Sequence, residues 1–164
     1  MKSLSQHIEE KLIINKNYKN DVIKPKTRKE LEKIIYDRYV ANPNELDLND
    51  IDITEAGNSL CELFGKLDKV KKIHIENWDV SNIEDMSFMF WKCYNLRELD
   101  LSSWIPSKEL WNLNHMFGEC DTLEELELFD CDWENKKVDY MFQKCIPVIM
   151  PEWYDQYTDN YIGK

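Results

Sequence analysis

Glycine is scarce in this chain, only four of 164 residues, which leaves no Gly-rich loop able to cradle a phosphate. Long apolar runs are missing as well: 43% of the residues are hydrophobic, yet no stretch approaches the length of a membrane span. The opening "MKSLSQHIEEKL" has no apolar stretch of signal-peptide length and no small-residue cleavage site, so a cytoplasmic protein is expected. Five cysteines, Cys61, Cys93, Cys120, Cys131 and Cys145, include no CxxC pair and are odd in number, which argues against a zinc ribbon and a disulfide framework. None of His7, His74 and His115 has a Cys, Asp or Glu at a known ligand spacing such as HExxH. The expectation is therefore a protein that is not an enzyme, with no cofactor and no metal.

Positive charge is also lacking over most of the chain. Residues 1–40 carry ten Lys or Arg against six Asp or Glu, while the remainder carries eleven against twenty-six, within a net charge of −11. An acidic surface of this size repels DNA and RNA, so direct nucleic-acid binding is disfavoured and a basic protein partner is favoured.

What the chain does have is an internal repeat. Leu63-Phe64, Met89-Phe90, Met116-Phe117 and Met141-Phe142 follow one another at steps of 26, 27 and 25 residues. Each pair leads, in phase, to further apolar residues: Phe90 to Cys93, Leu96, Leu99, Leu101 and Trp104, and Phe117 to Cys120, Leu123, Leu126, Leu128 and Cys131. Phe64 leads to Leu67, Val70, Ile73, Ile75 and Trp78, and Phe142 to Cys145, Val148, Pro151 and Trp153. Further upstream Val40, Pro43, Leu46, Leu48 and Ile51 hold the same phases and begin a divergent first unit.

Within each unit the apolar period changes. Leu60-Leu63-Phe64, Met86-Met89-Phe90, Leu113-Met116-Phe117 and Val138-Met141-Phe142 have the i, i+3, i+4 spacing of a short helix. Ile73-His74-Ile75, Leu99-Asp100-Leu101 and Leu126-Glu127-Leu128 alternate, as short strands do. Asn77-Trp78-Asp79-Val80-Ser81 joins strand to helix, with Ser81 and Glu84 fitting a capping box and Trp78 plugging the turn.

The stretch "NWDVSNIEDMSFMFWKCYNLRELDLSSW" resembles the BspA-type leucine-rich repeat, strongly over residues 77–104 and recognisably over about 40–153. That resemblance implies a short solenoid with a protein-binding tendency and no catalytic residues. The fold class expected is α/β, a leucine-rich-repeat solenoid of about five helix-strand coils with a parallel strand ladder and an N-terminal helical segment. Residues 1–24 read as an amphipathic helix, with Leu4, Ile8 and Leu12 behind Ser3 and Gln6, and a polar linker. Residues 25–164 read as the solenoid. A helix opened by Thr27 and Glu30 caps its front, and a helical turn bearing Trp153, Tyr157 and Tyr161 caps its back.

Outward strand positions supply the candidate site. One column holds Asp47, His74, Asp100, Glu127 and Glu152, and a second, two places earlier, holds Glu45, Lys72, Glu98 and Glu125. This mostly acidic ladder, with Trp91 and Trp111, is the expected binding surface for a basic protein. The N-terminal stretch faintly resembles those of small phage and prophage proteins. With it, the favoured function is a phage-encoded inhibitor of a basic nucleic-acid-binding enzyme or RNA-guided defence effector, an anti-CRISPR-like role. A structural or adhesive repeat without inhibitory role is the alternative. A thiol or metal enzyme is the third reading: Cys93, Cys120 and Cys145 stand in phase, and a column of small buried thiols reads better as packing.

Overall fold

The order of elements follows from where the chain can satisfy its backbone. The computed structural model describes residues 22–162 except 66, 146–147, 156 and 158, so the Leu4-Ile8-Leu12 stripe lies outside the described residues. Helix α1, Arg28–Ala41, starts at Thr27, whose hydroxyl accepts from the Glu30 N–H at 3.2 Å. The Glu30 carboxylate accepts from the Lys26 N–H instead of returning to Thr27, so the cap is open where a reciprocal box was expected. Leu31 and Ile35 are buried beneath it. Arg28 ties the helix down by donating to the carbonyls of Ser59 and Cys61, and Arg38 makes a two-pronged pair with Asp50.

Four three-residue strands follow: β1 Glu45–Asp47, β2 Lys72–His74, β3 Glu98–Asp100 and β4 Glu125–Glu127. They form one parallel sheet in chain order, with Glu45 opposite Lys72, Lys72 opposite Glu98 and Glu98 opposite Glu125. The fold is mixed α/β, with one α-helix among the described residues. Each strand sends a central apolar residue inward, and Leu46, Leu48, Ile73, Ile75, Leu99 and Leu101 are buried. Ile23 adds a single parallel bridge to Ile51 ahead of the helix.

A second column of parallel bridges links Ser59, Asp85, Asn112 and Lys137 on successive repeats. Here the structure corrects the expected helices. The segments from Leu60, Met86, Leu113 and Val138 are runs of turns. In the second, the N–H groups of Met89, Trp91 and Cys93 donate three residues back, to Met86, Phe88 and Phe90. Those of Phe88, Phe90 and Lys92 cross to the carbonyls of Asn114, Met116 and Gly118 on the next repeat. An α-helix would keep all these donors within the segment. Sharing them with the neighbour forces Glu62, Phe88, His115 and Tyr140, then Lys92, Glu119 and Lys144, into the left-handed region, with φ between 54° and 63°. Each such residue costs roughly 1–2 kcal/mol in isolation, offset here by the bonds between repeats.

Those bonds stack like on like. Phe64, Phe90, Phe117 and Phe142 form an inner column with centroids 5.3, 5.5 and 5.4 Å apart. Outside it His115 lies between Phe88 and Tyr140, at 4.6 and 5.0 Å. Trp78 closes the preceding turn as expected, and Trp104 does the same in the next repeat, their indole N–H groups donating to the carbonyls of Leu48 and Ile75 at 3.0 Å. The Asp79 carboxylate, accepting from the Ser81 N–H, holds the turn, in place of the expected Ser81 and Glu84 box.

The ends differ from expectation too. Val40 is 63% exposed on α1 and does not join the first repeat's core. In the repeat that begins at Phe117, Phe129, not Cys131, takes the tryptophan's place, stacking on Trp104 at 6.1 Å. Beyond it Trp133 and Trp153 continue the stack. At the back, the expected helical turn is a hairpin: β5 Tyr154–Asp155 pairs antiparallel with β6 Asn160–Tyr161. Tyr154 is the buried anchor, whereas Tyr157 is 89% exposed.

Candidate functional site

Strand alternation puts Glu45, Asp47, Lys72, His74, Glu98, Asp100, Glu125 and Glu127 on the outer face of the sheet, between the inward leucines and isoleucines. The structure brings all eight onto one face. Glu152 is not among them: it sits in the turn before β5, and the sheet ends at β4. Trp91 and Trp111 lie in and beside the turn segments, each facing a lysine, with Lys92 at 4.2 Å and Lys137 at 5.0 Å from the ring centres. Neither lines the cleft that runs over the strands.

Charge is not uniform along the face. Lys72 bonds the Glu98 carboxylate at 2.5 Å, and that bond holds Glu98 below the usual carboxylate range. His74 sits between Glu45 and Glu76, at 3.0 and 3.2 Å. Burial pulls its imidazole down, but the hydrogen bonds to the two glutamates outweigh burial and raise it. Asp47 and Asp100 spend a carboxylate oxygen on the N–H two residues ahead, at Asn49 and Ser102, which makes them turn-formers first. Glu125 and Glu127 have no cation paired with them among the described residues. Each stands beside a second carboxylate, Glu98 and Asp100 respectively.

A cleft of about 590 Å³ runs over β2, β3 and β4 and is bounded by Glu76, Glu124, Val148 and Ile149 as well as the strand residues. Sequence reasoning missed these four. Glu76 continues the outward alternation past His74, which is a usable signal. Ile149 is 93% exposed although it belongs to an apolar run, and no pattern in the sequence announces that.

The three thiols that stand in phase, Cys93, Cys120 and Cys145, are buried. Cys93 and Cys120 are fully buried and donate to the carbonyls of Phe64 and Phe90 on the preceding repeat. Burial pushes the Cys93 and Cys145 thiols up to about 12, so they stay protonated and are poor nucleophiles. Among the described residues no group of His, Cys, Asp and Glu is placed to hold a metal ion, and no helix is long and apolar enough to cross a membrane.

No curated protein and no solved structure matches the chain. One family model does, over residues 41–148, and its description is "Mycoplasma protein of unknown function, DUF285". That span contains all four parallel strands and the stacked turn segments between them. The repeat region and the outward ladder are thus what the match covers, and the chain belongs to the DUF285 family.

Proposed function

We propose that the protein is a non-enzymatic binding module of the cytoplasm, a BspA-type leucine-rich-repeat array that docks its acidic strand face on a basic protein. The observation that carries this reading is the pair Glu125 and Glu127 on the last strand, with Glu124 just ahead of it, beside Glu98 and Asp100 and lining an open cleft. Carboxylates placed opposite one another disfavour the sheet by a few tenths of a kcal/mol per pair, and a basic partner turns that cost into attraction. The inhibitory, phage-encoded role adds a consequence: a partner captured on this face loses a surface that nucleic acid would use. Support for that consequence comes from the N-terminal stretch, outside the described residues, so the docking reading stands without it.

The test is an affinity pull-down from the natural host at rising salt, with mass spectrometry, using the wild type and a Glu124→Lys, Glu125→Lys, Glu127→Lys variant. Glu98 is left intact because its bond to Lys72 serves the fold. A basic protein held at low salt, released as screening shortens toward about 8 Å, and lost in the variant supports docking. Equal capture by the variant removes the face from the mechanism. Competition between nucleic acid and the wild type for that protein tests the inhibitory consequence.

A further inference from the structure

Strand β4 is the terminal strand of the parallel sheet, and its sequence and packing both differ from those of β2 and β3. The residues flanking its outward glutamates are incompletely covered. Leu126 and Leu128 are only partly buried, whereas their counterparts Leu99 and Leu101, and Ile73 and Ile75, are between 0% and 3% exposed. A further repeat would have covered them. The chain prevents it: counted from Phe142, Pro151 falls where Leu99 and Leu126 stand, and proline brings neither the N–H nor the backbone freedom of a ladder strand. After Pro151 the chain turns into β5, which pairs with β6 and not with β4. Val148 and the exposed Ile149 remain beside the edge as an apolar wall of the cleft.

We propose that the outer edge of β4 accepts an extended segment of a partner protein as a fifth strand, with lysine or arginine alternating with apolar residues. The inference rests on the docking reading and specifies its geometry. Alternation is set by the edge itself. A fifth strand in register places one set of side chains beside Glu125 and Glu127 and the other set over Leu126 and Leu128. Cations beside the glutamates meet charges that no other described residue pairs. Apolar residues complete a core that the preceding repeats already have. The same glutamates reject a second copy of this chain, because edge-to-edge pairing would set β4 carboxylates against their own kind. Charge thus blocks self-assembly and selects a basic strand at once, the edge-addition mode of peptide recognition.

The probe is the peptide acetyl-Thr-Lys-Val-Lys-Val-Lys-Thr-amide, titrated against the full chain by fluorescence anisotropy and by amide hydrogen exchange. Two control peptides accompany it: one N-methylated along its five central residues, which keeps charge and loses ladder donors, and one with its lysines and valines grouped in blocks. The alternating peptide is expected to bind about tenfold or more tighter than either control, the worth of one or two well-made hydrogen bonds, and to slow exchange at β4. Glu125→Lys with Glu127→Lys is expected to abolish that binding without unfolding the exposed strand. Equal binding by all three peptides overturns the strand addition and leaves acidic docking standing. Binding by the alternating peptide that survives the double substitution overturns both. Failure of every peptide to bind, or a dimer in sedimentation that buries β4, overturns the strand addition alone.

Discussion

Across β1 and β2 the outward carboxylates face a lysine and a histidine, Glu45 against Lys72 and Asp47 against His74, whereas across β3 and β4 carboxylate faces carboxylate. Both halves share a three-residue strand with one apolar residue between two polar ones. What separates them is the neighbour. Lys72 serves both sides, lying opposite Glu45 and bonded to Glu98, and His74 holds Glu45 and Glu76. The front carboxylates have a lysine or a histidine beside them, and Glu125 and Glu127 have only carboxylates opposite them. A second difference runs in parallel: the apolar residues of the front strands are sealed, and those of β4 are not. On the proposed docking reading, the array would bind where the repetition stops.

The largest expected effect breaks the packing side of this contrast. Leu99→Ala should destabilise the protein by about 2–5 kcal/mol in urea unfolding, because the residue is sealed on both sides. Leu126→Ala should cost less than half as much, since the side chain is already partly in water. Equal costs would show that the last repeat is as closed as the others. Next in size, Trp104→Phe removes the N–H that bonds the Ile75 carbonyl, and Trp78→Phe the one that bonds Leu48, for about 1–2 kcal/mol each.

Charge reversals are smaller and differ in sign between the halves. Glu127→Lys turns its pair with Asp100 from repulsive to attractive and should raise stability by a few tenths of a kcal/mol. Glu45→Lys loses His74 and sets a cation opposite Lys72, so it should lower stability by a similar amount. The same sign for both substitutions, measured by thermal unfolding, would erase the distinction between the halves.

The smallest effect is the pH dependence of the front half. His74 is raised above its ordinary 6.5, so its contribution is fully present below that value and is lost as pH rises through the folded value. Glu98 is held low by Lys72, so that pair contributes above the ordinary carboxylate range and is lost as pH falls through the folded value. His74→Gln should flatten the loss near neutral pH and leave the acid limb unchanged. Glu98 is exposed and His74 is partly so, so salt should shrink both limbs, the acid limb more.

Much of this molecule was written in the spacing of its residues. The Met-Phe repeats, the inward leucines and the outward ladder came from hydrophobic phase alone, because a strand's period of two leaves little choice once the core side is known. Spacing failed where two backbones present the same stripe. Leu60-Leu63-Phe64 and its repeats suit a helix and a run of turns equally well, and the choice depends on whether alternate N–H groups bond within the segment or across to the next repeat. Left-handed Phe88, His115 and Tyr140 gave no warning, since that conformation is usually signalled by glycine or asparagine. Glu152 followed the register in sequence but left the sheet at Pro151, and Phe129 displaced Cys131 because ring stacking rewards the larger side chain. Sequence by itself determined which residues face in and which face out, a property of each repeat. Tertiary structure alone decided that Lys72 meets Glu98 and His74 meets Glu45 while Glu125 and Glu127 meet no cation among the described residues, because those partners stand about one repeat away in the chain and become neighbours only when the repeats stack.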